Sequence, residues 1–210
     1  MSVYQASNIQ SLREFSKTEN QLAVLERCPL KGADKFFNKL MQSDFSLIGQ
    51  AFKDSSLEDI KFILEEDIPK ELQSDPFYPL WVADIASLCK VFCDVLVTES
   101  VSLQLSTKRG CRRYHVDNVP MRMLVTYAGK GTEWISDEVV DRQAYESGKT
   151  NEEILKDLTE TQYMNIWDVA IFRGGKKGLL HRTPDAALMG PSVLLRLDHE
   201  NFWDDILKDS

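Results

Sequence analysis

Val101-Ser102-Leu103-Gln104-Leu105-Ser106 alternates apolar and polar residues, and here the periodicity of the chain changes from helical to extended. Successive side chains of an extended chain point to opposite faces, so Val101, Leu103 and Leu105 share one side and the stretch reads as a strand with one buried face. What precedes it is mainly helical. Ala33 to Gln42 carries Phe36, Phe37, Leu40 and Met41 at helical spacing, and Leu57, Ile60, Ile63 and Leu64 repeat the pattern behind Ser56, the expected cap. Pro69, Pro76 and Pro79 interrupt the chain before a long apolar helix from Leu80 to about Leu96. Gln21 to Leu25 suits a short edge strand, closed by Cys28-Pro29.

Beyond Ser106, strands are expected at Arg112 to Asp117, Met121 to Tyr127, Trp167 to Phe172, Leu179 to Arg182 and Val193 to Leu197, separated by turns at Gly129, Gly131, Gly174, Gly175, Gly178 and Gly190. Thr150-Asn151-Glu152-Glu153 has the form of a capping box opening a helix to about Leu158. Neither a repeat nor a linker divides the halves. The expectation is one α+β domain over residues 1–210: a mainly helical part, 1–98, bracing an antiparallel barrel or sandwich over 99–200.

Composition narrows the function. A net charge of −8 disfavours nonspecific binding to nucleic-acid phosphates or anionic lipid, although Arg109, Arg112 and Arg113 form a small basic patch. No apolar run is long enough for a membrane span. The start, Met1-Ser2-Val3-Tyr4-Gln5, lacks the features of a secretory signal, and Cys28, Cys89, Cys93 and Cys111 lack disulfide-framework spacing, so a cytoplasmic protein is expected. No nucleophile and base pair, phosphate loop or zinc-finger spacing appears.

Arg113-Tyr114-His115-Val116-Asp117 carries the chemistry. On a strand His115 and Asp117 would project to the same face, and a returning strand could bring His181 beside them. Two histidines and one carboxylate on one face of an iron ion leave positions open for a co-substrate and oxygen. Cys111 shares strand parity with the pair, but four residues of straight strand, about 13 Å, separate it from His115. It is expected to be a buried, inert thiol, and Cys89 and Cys93, one helical turn apart, to be core. His199 is expected to be solvated, and Glu133-Trp134 either to border the pocket or to form a turn with an exposed carboxylate and a partly buried indole.

His115 and Asp117, the apolar strand Met121 to Tyr127, Gly129-Lys130-Gly131-Thr132-Glu133-Trp134, Asp168 to Phe172, and His181 with Pro184 and Gly190 together resemble the double-stranded β-helix of the Fe(II)/2-oxoglutarate-dependent dioxygenases, over roughly Val101 to Asp198. The resemblance implies a cupin-like jelly-roll, a metal held by His115, Asp117 and His181, and bidentate 2-oxoglutarate binding. The activity implied is oxidative decarboxylation of 2-oxoglutarate coupled to hydroxylation of a small-molecule or protein substrate. It also calls for a cation to hold the far carboxylate, commonly on the last strand. Arg196 is the basic residue there, an anchor or else a surface or structural arginine according to the register of the strand, and Arg122 is its rival, which on a second reading is a salt-bridge or solvated edge residue. Thr126 and Tyr127 could add hydroxyl donors, although an aromatic at a strand end more often serves packing.

Leu22-Ala23-Val24, Cys111 to Asp117, Thr126-Tyr127, Gly131 to Trp134 and His181-Arg182-Thr183-Pro184 are, more closely, similar to an uncharacterised bacterial domain-of-unknown-function family, encoded near zinc-homeostasis GTPases. This keeps Zn(II) alone as an alternative to Fe(II) with 2-oxoglutarate. Three functions stay open: an oxygenase, a non-catalytic zinc-binding protein, and a metal-free β scaffold. An inward cation beside an open coordination position favours the first, a fourth ligand such as a thiolate the second, and separated His115 and His181 the third.

Overall fold

The computed structural model describes residues 3–176 and 178–208, so Met1 and Ser2 of the N-terminal reading lie outside the described residues. The strands are β1 (Val3–Gln5), β2 (Leu22–Leu25), β3 (Ser46–Phe52), β4 (Ser100–Ser106), β5 (Met121–Ala128), β6 (Glu133–Ile135), β7 (Gln162–Tyr163), β8 (Val169–Arg173), β9 (Leu180–Arg182) and β10 (Val193–His199). Seven form one sheet in the order β1-β2-β8-β5-β10-β4-β3, and three form a second in the order β7-β6-β9. All neighbours are antiparallel except β1 and β2. The fold is therefore mixed α and β around a large, mostly antiparallel sheet.

Period-two alternation assigns the two faces of the large sheet. Leu103, Leu105, Met123, Val125, Tyr127, Val169, Ile171, Leu195 and Leu197 belong to the main core, under α1 (Ala33–Leu40), α2 (Ser56–Glu65), α3 (Lys70–Gln73) and α4 (Tyr78–Leu96). In α4 buried side chains lie on most of the helix circumference, as an apolar helix set into a core requires. Cys89 and Cys93 are buried there as expected, and burial pushes the Cys93 thiol up to about 11.

The opposite face carries Leu124, Ala170 and Phe172, which pack with Trp134 of the small sheet and with Leu179. β4 is buried on both sides rather than one. Its inward serines are satisfied by backbone carbonyls: Ser102 Oγ donates to Glu200 O at 3.0 Å and Ser106 Oγ to Lys108 O at 3.1 Å.

Several expectations are corrected. The helical half contributes three strands, and β3 forms one edge of the large sheet. Leu22–Leu25 is no edge strand, because β1 pairs beyond it. The cap position of α2 is Ser55, whose hydroxyl bonds the Asp59 carboxylate instead of the backbone. The capping box of Thr150 and Glu153 forms, but its helix ends at Ile154. His199 is half-buried, 4.0 Å from Asp205 and edge-on to Phe202. Among the described residues no helix is long and apolar enough to cross a membrane.

Candidate metal centre

His181 lies on β9, and its backbone exchanges two hydrogen bonds with His115, N–H to O at 3.1 and 3.0 Å. That pair is an isolated bridge, so the strand expected over Arg112 to Asp117 is reduced to one residue pair. The reason lies at Cys111, which has φ +58°, in the left-handed region. Thr183 N–H donates to Cys111 O at 3.1 Å, where a regular ladder would have brought Arg113. The chain bulges, and Cys111 is exposed rather than buried.

Asp117 follows two residues after His115, ahead of bends at residues 118–120, and lies beside both rings. Its carbonyl accepts from Gly175 N–H at 2.8 Å, and a methyl group at Gly174 would overlap the carbonyls of Asp117 and Val119. Glycine is therefore required where the loop after β8 crosses the ligand segment. Gly174→Ala is expected to destabilise the protein by about 2 kcal/mol and to weaken metal binding, since the backbone of Asp117 must move. Thermal unfolding with and without metal tests this; unchanged metal affinity would show that the crossing does not position Asp117.

One ligand atom from each of His115, Asp117 and His181 lies within 4.8 Å of the others. His181 and Asp117 are buried, whereas His115 is half-buried at the edge of a cavity. Each imidazole Nδ1 stands 3.0 Å from a backbone carbonyl, His115 from Arg113 O and His181 from Leu179 O. A carbonyl only accepts, so each Nδ1 carries a proton, and each ring in its neutral form keeps its lone pair on Nε2. Both Nε2 atoms face Asp117: His181 at 3.3 Å from Oδ2 and His115 at 3.9 Å from Oδ1.

Oδ1 accepts from Arg122, while Oδ2 is buried without a hydrogen bond. The His181 contact at 3.3 Å counts as an ion-pair distance but does not satisfy Oδ2 in this tautomer, because it sets acceptor against acceptor. Three acceptor atoms converging with nothing donating among them fit a cation. The Nδ1 contacts are the outer hydrogen bonds that orient histidine ligands. Two imidazoles and a carboxylate suit Fe(II) and Zn(II) alike.

Electrostatics agrees with the donor set. Burial and then the neighbouring His181 lower the His115 pKa, which keeps that ring neutral at pH 7. Burial pushes the Asp117 carboxyl up, but His181, Arg122 and His115 together outweigh it and hold the group at about 2. Because this folded-state value lies below the ordinary 3.8, Asp117 contributes stability above that pH and loses it as pH falls towards 2. The stability gap between metal-free wild type and Asp117→Asn is expected to narrow over that window in urea titrations. A gap constant from pH 5 to pH 2 would contradict the assigned ion pairs.

A cavity of about 280 Å³ adjoins the centre, small by the standards of ligand pockets. His115, His181, Cys111, Arg122 and Arg196 contribute to its wall. Arg196 thus faces inward, its Nε 2.5 Å from Asp198 and its guanidinium 4.3 Å from the centre of the Phe202 ring. Arg122 links Asp117 to Asp198, 2.7 Å from the latter, which is the salt-bridge reading of that residue. Thr126 is buried and lies outside the cavity lining. Tyr127 points to the opposite face, where its ring packs among Phe37, Trp81 and Trp167 and its hydroxyl donates to Asp84 at 2.7 Å. Neither hydroxyl is brought to the site: the alternation that turns Arg122 towards it turns Tyr127 away, and Thr126, on the same face as Arg122, lies beyond Leu124 and outside the lining.

Glu133 and Trp134 form strand β6 instead of a turn, and both are buried. Glu133 accepts from the Tyr114 hydroxyl and from Arg182 Nε at 3.0 Å, bracing the strands that carry His181. Asp198 and this brace were missed in the sequence. Asp198 had a readable signal, because it shares period-two parity with Arg196.

This is a two-histidine, one-carboxylate centre between two β layers. Residues 6–198 match the family described as "Protein of unknown function (DUF1826)", and the chain belongs to it. No curated protein matches the chain in sequence. Among solved structures, the chain is similar to the Fe(II)/(alpha)ketoglutarate-dependent dioxygenase TqaL, at 13% identity and TM-score 0.47, covering 90% of this chain and 85% of that one. It is similar to a putative oxygenase from Shewanella oneidensis at 9% identity and TM-score 0.45, covering 95% and 90%. For the dioxygenase for auxin oxidation 1 from Arabidopsis thaliana the values are 9% and 0.42, covering 94% and 93%.

Proposed function

We propose that this DUF1826 protein is a non-haem Fe(II), 2-oxoglutarate-dependent oxygenase, with the two facing sheets as its double-stranded β-helix. The observation that carries the reading is the convergence of His115 Nε2, His181 Nε2 and the unpartnered Asp117 Oδ2 beside an open cavity lined by cations. Bound iron would supply oxygen activation coupled to decarboxylation of 2-oxoglutarate. The chain's own residues do the rest. Arg113 O and Leu179 O hold both imidazoles in the metal-binding tautomer. Arg122 fixes Oδ1 of Asp117 and leaves Oδ2 for the metal. Phe172 packs against the His181 ring with centroids 4.5 Å apart, keeping the inner side of the site dry. Arg196 supplies inward positive charge for a carboxylate.

Anaerobic titration with Fe(II) and then 2-oxoglutarate tests the reading. A visible charge-transfer band on adding the second ligand is expected; tight metal binding without a band would sink the oxygenase assignment. That outcome would favour the zinc-binding alternative, for which Cys111 is the specific observation. The bulge places it across from Thr183, two residues beyond His181, and in the wall of the same cavity.

A further inference from the structure

The chain carries a net charge of −8, yet the wall of this cavity includes Lys108, Arg109, Arg122, Arg182 and Arg196 and no carboxylate. Four of the five cations are compensated from behind. Arg122 is held by Asp117 and Asp198, and Arg196 by Asp198. Arg182 is held by Glu133, and Lys108 by Asp44 at 2.6 Å.

Arg109 differs. Its Nη1 donates to Lys130 O at 2.9 Å and its Nη2 to Thr132 Oγ1 at 3.1 Å, both neutral acceptors. Among the described residues no carboxylate lies within ion-pair distance of it. Burial lowers its pKa to about 10, opposed only by the Cys111 thiol, which matches a guanidinium without a counter-ion. A guanidinium has five N–H donors, so several remain for a ligand after these two contacts. The contacts themselves fix the plane of the fork and reduce the entropy lost when an anion docks. A half-buried, oriented and uncompensated cation beside an open cavity is an incomplete ion pair.

We propose that Arg109 is the anion-recognition residue of this cavity, and that the ligand it awaits is a small organic anion presenting a carboxylate or phosphate group. The anion has two sources: the far carboxylate of 2-oxoglutarate, which rests on the oxygenase reading, or an acidic group on the substrate, which places the substrate among organic acids or phosphate esters. In either case the uncompensated charge comes from the segment after β4, ahead of the first histidine, and Arg196 of the last strand, offset by Asp198, only adds to it.

The test is calorimetric titration of the full-length protein loaded with Mn(II), for wild type, Arg109→Gln, Arg109→Lys and Arg196→Gln. Each is titrated with 2-oxoglutarate, and then, in the presence of saturating 2-oxoglutarate, with succinate and inorganic phosphate. Loss of a charged hydrogen-bond partner is expected to weaken binding at least about tenfold in Arg109→Gln, with partial recovery in Arg109→Lys.

Weakened 2-oxoglutarate binding supports the proposal and identifies the co-substrate as the source. Normal 2-oxoglutarate binding with lost succinate or phosphate binding also supports it and identifies the substrate as the source. If wild type does not bind 2-oxoglutarate but still binds succinate or phosphate through Arg109, the oxygenase reading falls and the anion site stands. Unchanged affinity of Arg109→Gln for all three anions, or no anion binding by wild type, overturns the proposal. Metal content and thermal unfolding equal to wild type establish that a loss is local to the cavity.

Discussion

His181→Ala is expected to abolish stoichiometric binding of a divalent metal while leaving a folded protein. In the proposed centre the ring is one of three ligands, and none of the other described histidines or carboxylates stands close enough to replace it. It also fills space against Phe172, so its removal leaves a void costing about 2 kcal/mol. A domain of this size tolerates that loss, because typical stabilities are about 5–15 kcal/mol. The main core lies on the other face of the large sheet and does not contain His181. Metal analysis after dialysis, paired with circular dichroism, checks both halves of the expectation. One equivalent of metal retained by the folded variant would remove His181 from the centre.

Arg122→Leu is expected to be the more damaging change for stability. Arg122 neutralises Asp117 and Asp198, whose side chains are 1% and 2% exposed. Asp198 keeps Arg196, whereas Asp117 would be left buried beside the two imidazoles with no guanidinium. Breaking one side of a buried ion pair costs about 3–5 kcal/mol. Two corollaries separate this account from a simple packing loss. Adding Asp117→Asn should recover part of the stability, so that the double variant loses less than the sum of the single changes. Saturating metal should stabilise Arg122→Leu more than wild type, because the cation then supplies the missing charge. Urea unfolding measures both; additive single effects would mean that Arg122 and Asp117 are not coupled.

The grouping of His115, Asp117 and His181 was legible in the sequence, although the regular strand expected to carry it does not form. The spacing put His115 and Asp117 on one regular strand, whereas the ladder is reduced to a single bridge at His115 and Asp117 lies beyond it. Any local path that ends with both side chains inward satisfies the same ligand pattern, so the pattern survived an error in the backbone. The deviation at Cys111 was illegible, because a non-glycine residue at φ +58° has no local signature and is fixed by the pairing of its carbonyl with Thr183.

Alternation read β4, β5, β8 and β10 well, since each packs an apolar face on the helices. It failed for β3, where Gly49 and the exposed Ile48 and Phe52 obscure the pattern of an edge. Strand β6 was illegible at Glu133, because a carboxylate between glycines and an indole also suits a turn or a pocket border. The burial of Glu133 depends on Tyr114 and Arg182, which are distant in sequence. Arg196 was read with its register open, and pairing with Gln104 and Leu124 turns it inward.

The central claim is a metal held by His115, Asp117 and His181 with positions left open. X-ray absorption at the iron edge of the anaerobic Fe(II)-loaded protein tests it most directly. The expected result is a shell of nitrogen and oxygen only, with outer scattering from two imidazole rings and more donors than the protein supplies. A closed four-donor shell containing sulfur would contradict it and place Cys111 on the metal.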